Sequence, residues 1–211
     1  MTFAILPVKD PRNAKQRLNG FLPAEDREAL AHLLYEQTIA ALCGAQGIDR
    51  VVVITSDTAI AAHAGSLGVL VFDETQQQSH SASADAACRR AIELGATTAL
   101  LVPIDVPLVA VSDFEQLAAA ARPGVVIVPS ADGTGTNALA RTPPDVIPSR
   151  FGPGSFQAHL DQARAKNVEA HVLRLPGLMF DIDTPEDVAE LLERAPQSPV
   201  AAFLRSACAL K

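Results

Sequence analysis

Several common signatures are missing from this 211-residue chain, and each absence narrows what it can be. There is no basic excess: 17 Lys and Arg stand against 24 Asp and Glu, a formal net charge of −7. A general nucleic-acid or anionic-membrane binder carries a basic face, so neither partner is expected. Any phosphate must be met locally, by backbone amides, a few basic side chains or a metal. Cysteines number only three, Cys43, Cys88 and Cys208, far apart and without a CxxC pair. That pattern offers no thiolate metal spacing and fits a reduced, cytoplasmic setting. No run approaches the roughly 18 apolar residues of a membrane span, and the opening "FAILPV" lacks the basic and long apolar regions of a signal peptide. No GxGxxG and no GxxxxGK[ST] follows the first apolar run, which argues against a Rossmann dinucleotide site and a P-loop. No Ser-His-Asp or Cys-His spacing stands out; His32, His63 and His171 sit in helix or strand patterns as surface or packing residues. There are no repeats and no low-complexity linker, so one domain with a real core is expected.

What is present is an alternation. Hydrophobic residues make up 48% and charged ones 19%, an ordinary globular balance. Apolar, β-branched runs at 3–8, 50–56, 69–73, 98–105 and 124–130 have strand length and flanking turn residues. Between them, 24–43, 57–65, 83–94 and 112–121 read as helices, with Asp57 and Ser112 at capping positions. Strands that are apolar throughout and separated by helices predict an α/β fold, with a mostly parallel sheet covered on both faces. Past residue 130 the pattern loosens. "GTGTNALAR" reads as an edge strand, a helix capped by Ser155 runs to about Lys166, and "LMFDIDTPEDVAELLERA" reads as strand, turn and helix, with Thr184 as cap and Pro185 at the first helical position. Residues 196–211 form an apolar tail without an assigned role, able to dock on this chain or on a partner copy.

Four stretches carry candidate chemistry. "LPVKDPRNAKQRL" places Lys9, Arg12, Lys15 and Arg17 just after the first strand, at the edge where open α/β sheets bind ligands; a solvated basic loop is the alternative. In "VPIDVPLV", Asp105 ends a buried strand between two prolines, where a charge is costly unless paired or metal-bound; a turn carboxylate is the alternative. In "FDIDTPEDV", Asp181 and Asp183 alternate, which puts both side chains on one side of a strand. Together with Asp105 they could make a hard-oxygen site for magnesium. In "DGTGTNALAR", the glycines permit close backbone approach, and Thr134, Thr136 and Asn137 offer short polar contacts. The turn "RFGPGSFQAH" leads into a helix N-terminus, which is both a cap and a ready anion site.

In the order "LPVK…AKQRL", "GTNALA", "RFGPGSFQAHLDQA" and "DIDTPEDV", the chain resembles the 2-phospholactate or phosphoenolpyruvate guanylyltransferases of coenzyme F-420 biosynthesis, the CofC/FbiD family. The resemblance spans about residues 3–193. It implies a Rossmann-like, glycosyltransferase-A-like nucleotidyltransferase domain over 1–195, acting on GTP and a small phosphorylated carboxylic acid, with room for a homodimer. By resemblance, Leu6, Pro7, Val8 and Lys9 line the nucleotide, with Lys15 and Arg17 on its triphosphate. Asp105, Asp181 and Asp183 hold Mg2+; Lys15, Arg17 and Asp105 do the catalytic work; and Thr136, Gly152 and Ser155 grip the acceptor. One segment departs: "QSHSASADAA" has Ala82 where the family shows the asparagine of a "GLNAA"-like stretch. It is closer to the G-x-S-x-S of molybdopterin cytidylyltransferase-like relatives, with Ser83 as its nucleotide-side residue. The rivals that follow are a nucleotidyltransferase for another nucleotide or acceptor, and a non-catalytic nucleotide-binding regulatory domain.

Overall fold

A computed structural model of the chain describes residues 1–74 and 79–209. Five apolar runs form the first five strands: β1 (Thr2–Pro7), β2 (Arg50–Thr55), β3 (Leu70–Asp73), β4 (Thr98–Leu101) and β5 (Gly124–Pro129). The connecting helices are α1 (Ala24–Gly44), α2 (Thr58–Ser66), α3 (His80–Glu93) and α4 (Val111–Ala120). They are followed by β6 (Thr136–Thr142), α5 (Ser155–Ala165), β7 (Ala170–Val172), the one-turn α6 (Pro176–Met179), α7 (Pro185–Arg194) and α8 (Pro199–Ala209).

The strands make one sheet in the order β3-β2-β1-β4-β6-β5-β7, in which only β6 runs antiparallel to its neighbours. Alternate residues feed opposite faces: Ala4 and Leu6 enter the core under α1, α2 and α4, while Phe3 and Ile5 enter the core under α3 and α5. A period of two within an all-apolar run is what a doubly covered sheet needs. From β1 the chain winds outward to β3, then returns to place β4 on the other side of β1. The crevice at the carboxyl ends of β1 and β4 is therefore the topological switch point, where ligands of open α/β sheets bind.

Four expectations need correction. "GTGTNALAR" does not form an edge strand: β6 lies between β4 and β5, with five of its seven residues buried. It reverses from β5 through a tight turn and inserts itself, which puts β7 at the edge. "LMFDID" is not a strand, because α6 ends at Met179 and residues 180–183 run outside the sheet. Strand β4 stops at Leu101, short of Asp105; Pro103 lacks the amide that a further ladder bond would need. Helix α4 starts at Val111 with Ala110 as its cap, and Asp113, not Ser112, accepts the Ala110 amide at 2.8 Å.

The tail is not loose. Val200, Leu204 and Ala207 of α8 pack with Leu30 and Leu34 of α1 and Val188 and Leu191 of α7, so its apolar face is covered by this chain. No helix among the described residues is long and apolar enough to cross a membrane.

Candidate active site

Three loops converge on the switch point. The first leaves β1 at Pro7, passes two single-turn 3-10 helices (Pro11–Asn13 and Gln16–Leu18), and holds Lys15 at φ +50°, the left-handed region that a lysine rarely adopts. That turn sends the Lys15 side chain inward, where it is 6% exposed. The second loop carries Asp105 after β4, and the third carries Asp181 and Asp183 between α6 and α7. The last two are tied by the Ile182 amide, which donates to the Asp105 carbonyl at 3.0 Å.

One carboxylate oxygen from each of Asp105, Asp181 and Asp183 can be chosen so that all lie within 4.8 Å of one another. Lys15 Nζ bridges two of them, 3.3 Å from Asp105 and 3.0 Å from Asp183. Burial alone would lower the Lys15 pKa, but the two carboxylates outweigh it and hold it above the ordinary value. Asp181 is raised, first by burial and then by the like charge of Asp105. Arg17 stands outside at 3.8 Å from Asp183, its side chain 72% exposed. Lys15 and Arg17 thus give the site one buried cation and one exposed one. Arg12 instead pairs with its neighbour Asp10 at 2.7 Å.

Supporting groups fix the acids. Asn137 of β6 donates to the Leu178 and Met179 carbonyls, both at 3.0 Å, and to Asp181 at 3.2 Å. Asp187, at the third position of α7, accepts from the Asp183 amide at 2.8 Å and the Thr184 amide at 2.7 Å. Thr184 returns the contact by accepting from the Asp187 amide, completing a capping box. The sequence reading found Thr184 and Pro185 but missed Asp187, although Thr-x-x-Asp is a variant of that box. Thr184→Ala is expected to cost about 1 kcal/mol in urea unfolding; a loss under 0.3 kcal/mol would show the box to be idle.

A second group of residues faces this cluster. Thr136, Asn137, Gly152, Ser155 and Asp183 line one cleft of about 820 Å³. Pro7, Asp105, Thr136 and Phe151 line an adjoining one of about 140 Å³. Gly135 belongs here because a Cβ on it would lie 2.9 Å from Ser130 Oγ. Gly152 and Gly154 adopt φ +123° and +71°, conformations open to glycine, to turn the chain into α5. Ser155 does not cap that helix: Gly154 is its cap, and Ser155, one residue inside, accepts the Thr136 amide at 2.8 Å. The contact ties β6 to α5 across the cleft. Thr134 does not point to a ligand, since its hydroxyl donates to Asp132 at 2.7 Å.

Residues from the divergent segment serve the same loop. Ser81 accepts the Phe151 amide at 2.9 Å, and His80 packs on the Phe151 ring at 4.9 Å. Ser83 is turned away: its hydroxyl donates to Glu74, and it lines neither cleft. Gln78, which opens the segment, lies outside the described residues.

A mostly parallel α/β sheet with an acidic triad, a buried lysine and an anion-ready turn at its switch point is the framework of a nucleotidyltransferase. A solved nucleotidyl transferase from Methanothermobacter thermautotrophicus shares the fold at a TM-score of 0.65, with 17% identity over 98% of this chain and 99% of that one. The description "Guanylyl transferase CofC like" matches residues 2–208, and the chain belongs to that family. It is 38% identical to a phosphoenolpyruvate guanylyltransferase of Rubrobacter xylanophilus, over 90% of this chain and 92% of the relative. To a 3-phospho-D-glycerate guanylyltransferase of Colwellia psychrerythraea it is 34% identical over 98% of both chains. To a 2-phospho-L-lactate guanylyltransferase of Methanothermobacter thermautotrophicus it is 30% identical, over 97% and 90%.

Proposed function

We propose that this enzyme transfers GMP from GTP to a small phosphorylated three-carbon acid, releasing pyrophosphate, and that it serves coenzyme F-420 biosynthesis. The observation that carries the reading is the acidic triad set directly across from the Thr136–Ser155–Gly152 turn. One side suits a cation and a triphosphate, the other an anionic acceptor. In the reaction, an acceptor phosphate oxygen attacks the α-phosphorus, a new phosphoanhydride bond forms, and the bond to pyrophosphate breaks. A phosphate monoester is already ionised at neutral pH, so no side chain has to remove a proton. Positioning and charge neutralisation are what the site must provide.

The residues fit magnesium: three hard oxygen donors converge, and burial first and the charge of Asp105 second raise the pKa of Asp181. Asp105, Asp181 and Asp183 would hold the ion, which when bound supplies neutralisation of phosphate charge. Leu6, Pro7, Val8 and Lys9 border the nucleotide, Lys15 and Arg17 face its phosphates, and Thr136, Gly152 and Ser155 receive the acid. Ser83, bonded to Glu74 and outside both clefts, is not placed on the nucleotide.

The test is pyrophosphate release with GTP, CTP, ATP and UTP, each paired with phosphoenolpyruvate, 2-phospholactate and 3-phosphoglycerate. Turnover is expected with GTP and at least one acid. Turnover with CTP alone would overturn the guanine assignment, and nucleotide binding without any turnover would favour a regulatory domain.

A further inference from the structure

His159 reads from sequence as a packing residue or as a group standing behind the site, and it is fully buried in α5. Both ring nitrogens nevertheless have hydrogen-bond partners, and one of these has a fixed sense. Nε2 lies 2.9 Å from the Arg150 amide nitrogen, which can only donate, so Nε2 must present its lone pair. The ring proton is then on Nδ1, 3.0 Å from Thr136 Oγ1. Burial first, and then the charge of Arg141, lower the His159 pKa to about 4, so the ring stays neutral and the assignment is unambiguous.

The consequence falls on Thr136. With the ring proton on Nδ1, the Thr136 hydroxyl cannot donate to His159, so its own proton is not spent on the ring, and Thr136 lines both clefts. Ser155 is in the same state: its oxygen accepts from the Thr136 amide, and among the described residues its proton has no assigned acceptor. The opposite tautomer would orphan the Arg150 amide. It would also force Thr136 to donate to His159, turning oxygen lone pairs toward an anion.

We infer that His159 is a positioning residue that makes the Thr136 hydroxyl a hydrogen-bond donor to the anionic acceptor, while its other nitrogen pins the loop that carries Gly152. This rests on the reading that Thr136 and Gly152 receive the acceptor.

The two functions of the ring separate by substitution. His159→Gln can place an oxygen at the Nε2 position and keep the Arg150 contact while losing the donor to Thr136. His159→Asn can place a nitrogen at the Nδ1 position and do the reverse. Steady-state KM for the acceptor and for GTP, with thermal melting of each variant, gives the readout. His159→Gln and Thr136→Val are each expected to raise the acceptor KM about 10- to 100-fold, the loss of one hydrogen bond to a charged group. GTP KM should stay within about twofold. The double variant should be no worse than Thr136→Val alone, because both remove the same bond. Thr136→Ser should keep the acceptor KM within about fivefold of the parent, and His159→Asn, which frees the Arg150 amide and loosens the loop, should raise it less than His159→Gln does.

Multiplying effects in the double variant, or an unchanged acceptor KM in His159→Gln, would overturn the role of His159 and leave the acceptor site standing. If Thr136→Val turns over with the parent's acceptor KM, the acceptor reading itself falls, and this inference with it. Should His159→Gln fail to fold, His159→Asn decides: an acceptor KM raised there as far as in Thr136→Val would refute the inference.

Discussion

Asp105→Asn is expected to lower turnover roughly 100- to 1,000-fold, with the melting temperature changed by no more than a few degrees. The magnitude corresponds to the several kcal/mol that a charge-neutralising cation contributes to a phosphoryl-type transfer. Asparagine keeps the shape and the backbone carbonyl that accepts from Ile182, so the two acid-bearing loops stay joined. Lys15 keeps its 3.0 Å contact with Asp183, so its buried ammonium is not left unpaired. What disappears is one of three carboxylate charges, the one that, after burial, contributes most to raising Asp181. The variant should therefore need a higher magnesium concentration for half-maximal rate. The checks are pyrophosphate release across a magnesium titration and a thermal melt. Parent-like turnover with parent-like magnesium dependence would remove Asp105 from the centre.

How much of this was legible in the sequence depends on the range of the interaction. The first five strands and four helices were visible because a doubly covered sheet demands continuous apolar strands, and the runs at 3–8 and 50–56 meet that demand by themselves. The place of β6 was not, because hydrophobic periodicity reports which faces are buried and is silent about which strand lies alongside. The three aspartates were found as residue types under local constraint, Asp105 between prolines and Asp181 near Asp183. Their expected strand-end alternation was wrong, yet they converge, because the loop-to-loop bond at Ile182 does what a sheet register would have done. The destination of Lys15, 90 residues from Asp105 and 168 from Asp183, is set by a left-handed turn that nothing in "NAKQRL" announces. The partners of His159 lie beyond the sequence for the same reason. A single histidine on a helix is ordinary, and only the fold brings Arg150 and Thr136 to its two nitrogens.

The loop from Ser149 into α5 also has a foundation whose removal should be costly. Arg141 of β6 is 1% exposed and donates to Asp85 at 2.8 Å, to the Ile147 carbonyl at 2.6 Å and to Cys88 Sγ at 2.8 Å. Asp85 in turn accepts from the Ser149 amide at 3.1 Å and the Ser149 hydroxyl at 2.7 Å, immediately before the turn into α5. Burying a guanidinium is tolerable only with its counter-charge present. Asp85→Ala is therefore expected to destabilise the protein by about 3–5 kcal/mol, which for a chain of this size is a melting-temperature drop of roughly 10 °C. Asp85→Asn should cost less than half as much, since the amide oxygen can still accept from Ser149 and Arg141. Replacing both partners, as Asp85→Leu with Arg141→Met, should recover most of the stability, because an apolar pair leaves no orphaned charge. The recovered fold should still show a raised acceptor KM, since Ser149 has lost its anchor and the loop bearing Gly152 is looser. Urea unfolding of the three variants, with acceptor KM for the double one, separates the two contributions. If Asp85→Ala costs less than 1 kcal/mol, Arg141 is not held by this pair and finds its compensation elsewhere. If the double variant recovers both stability and acceptor KM, Asp85 serves the fold alone and the loop is aligned by Ser81 and His159.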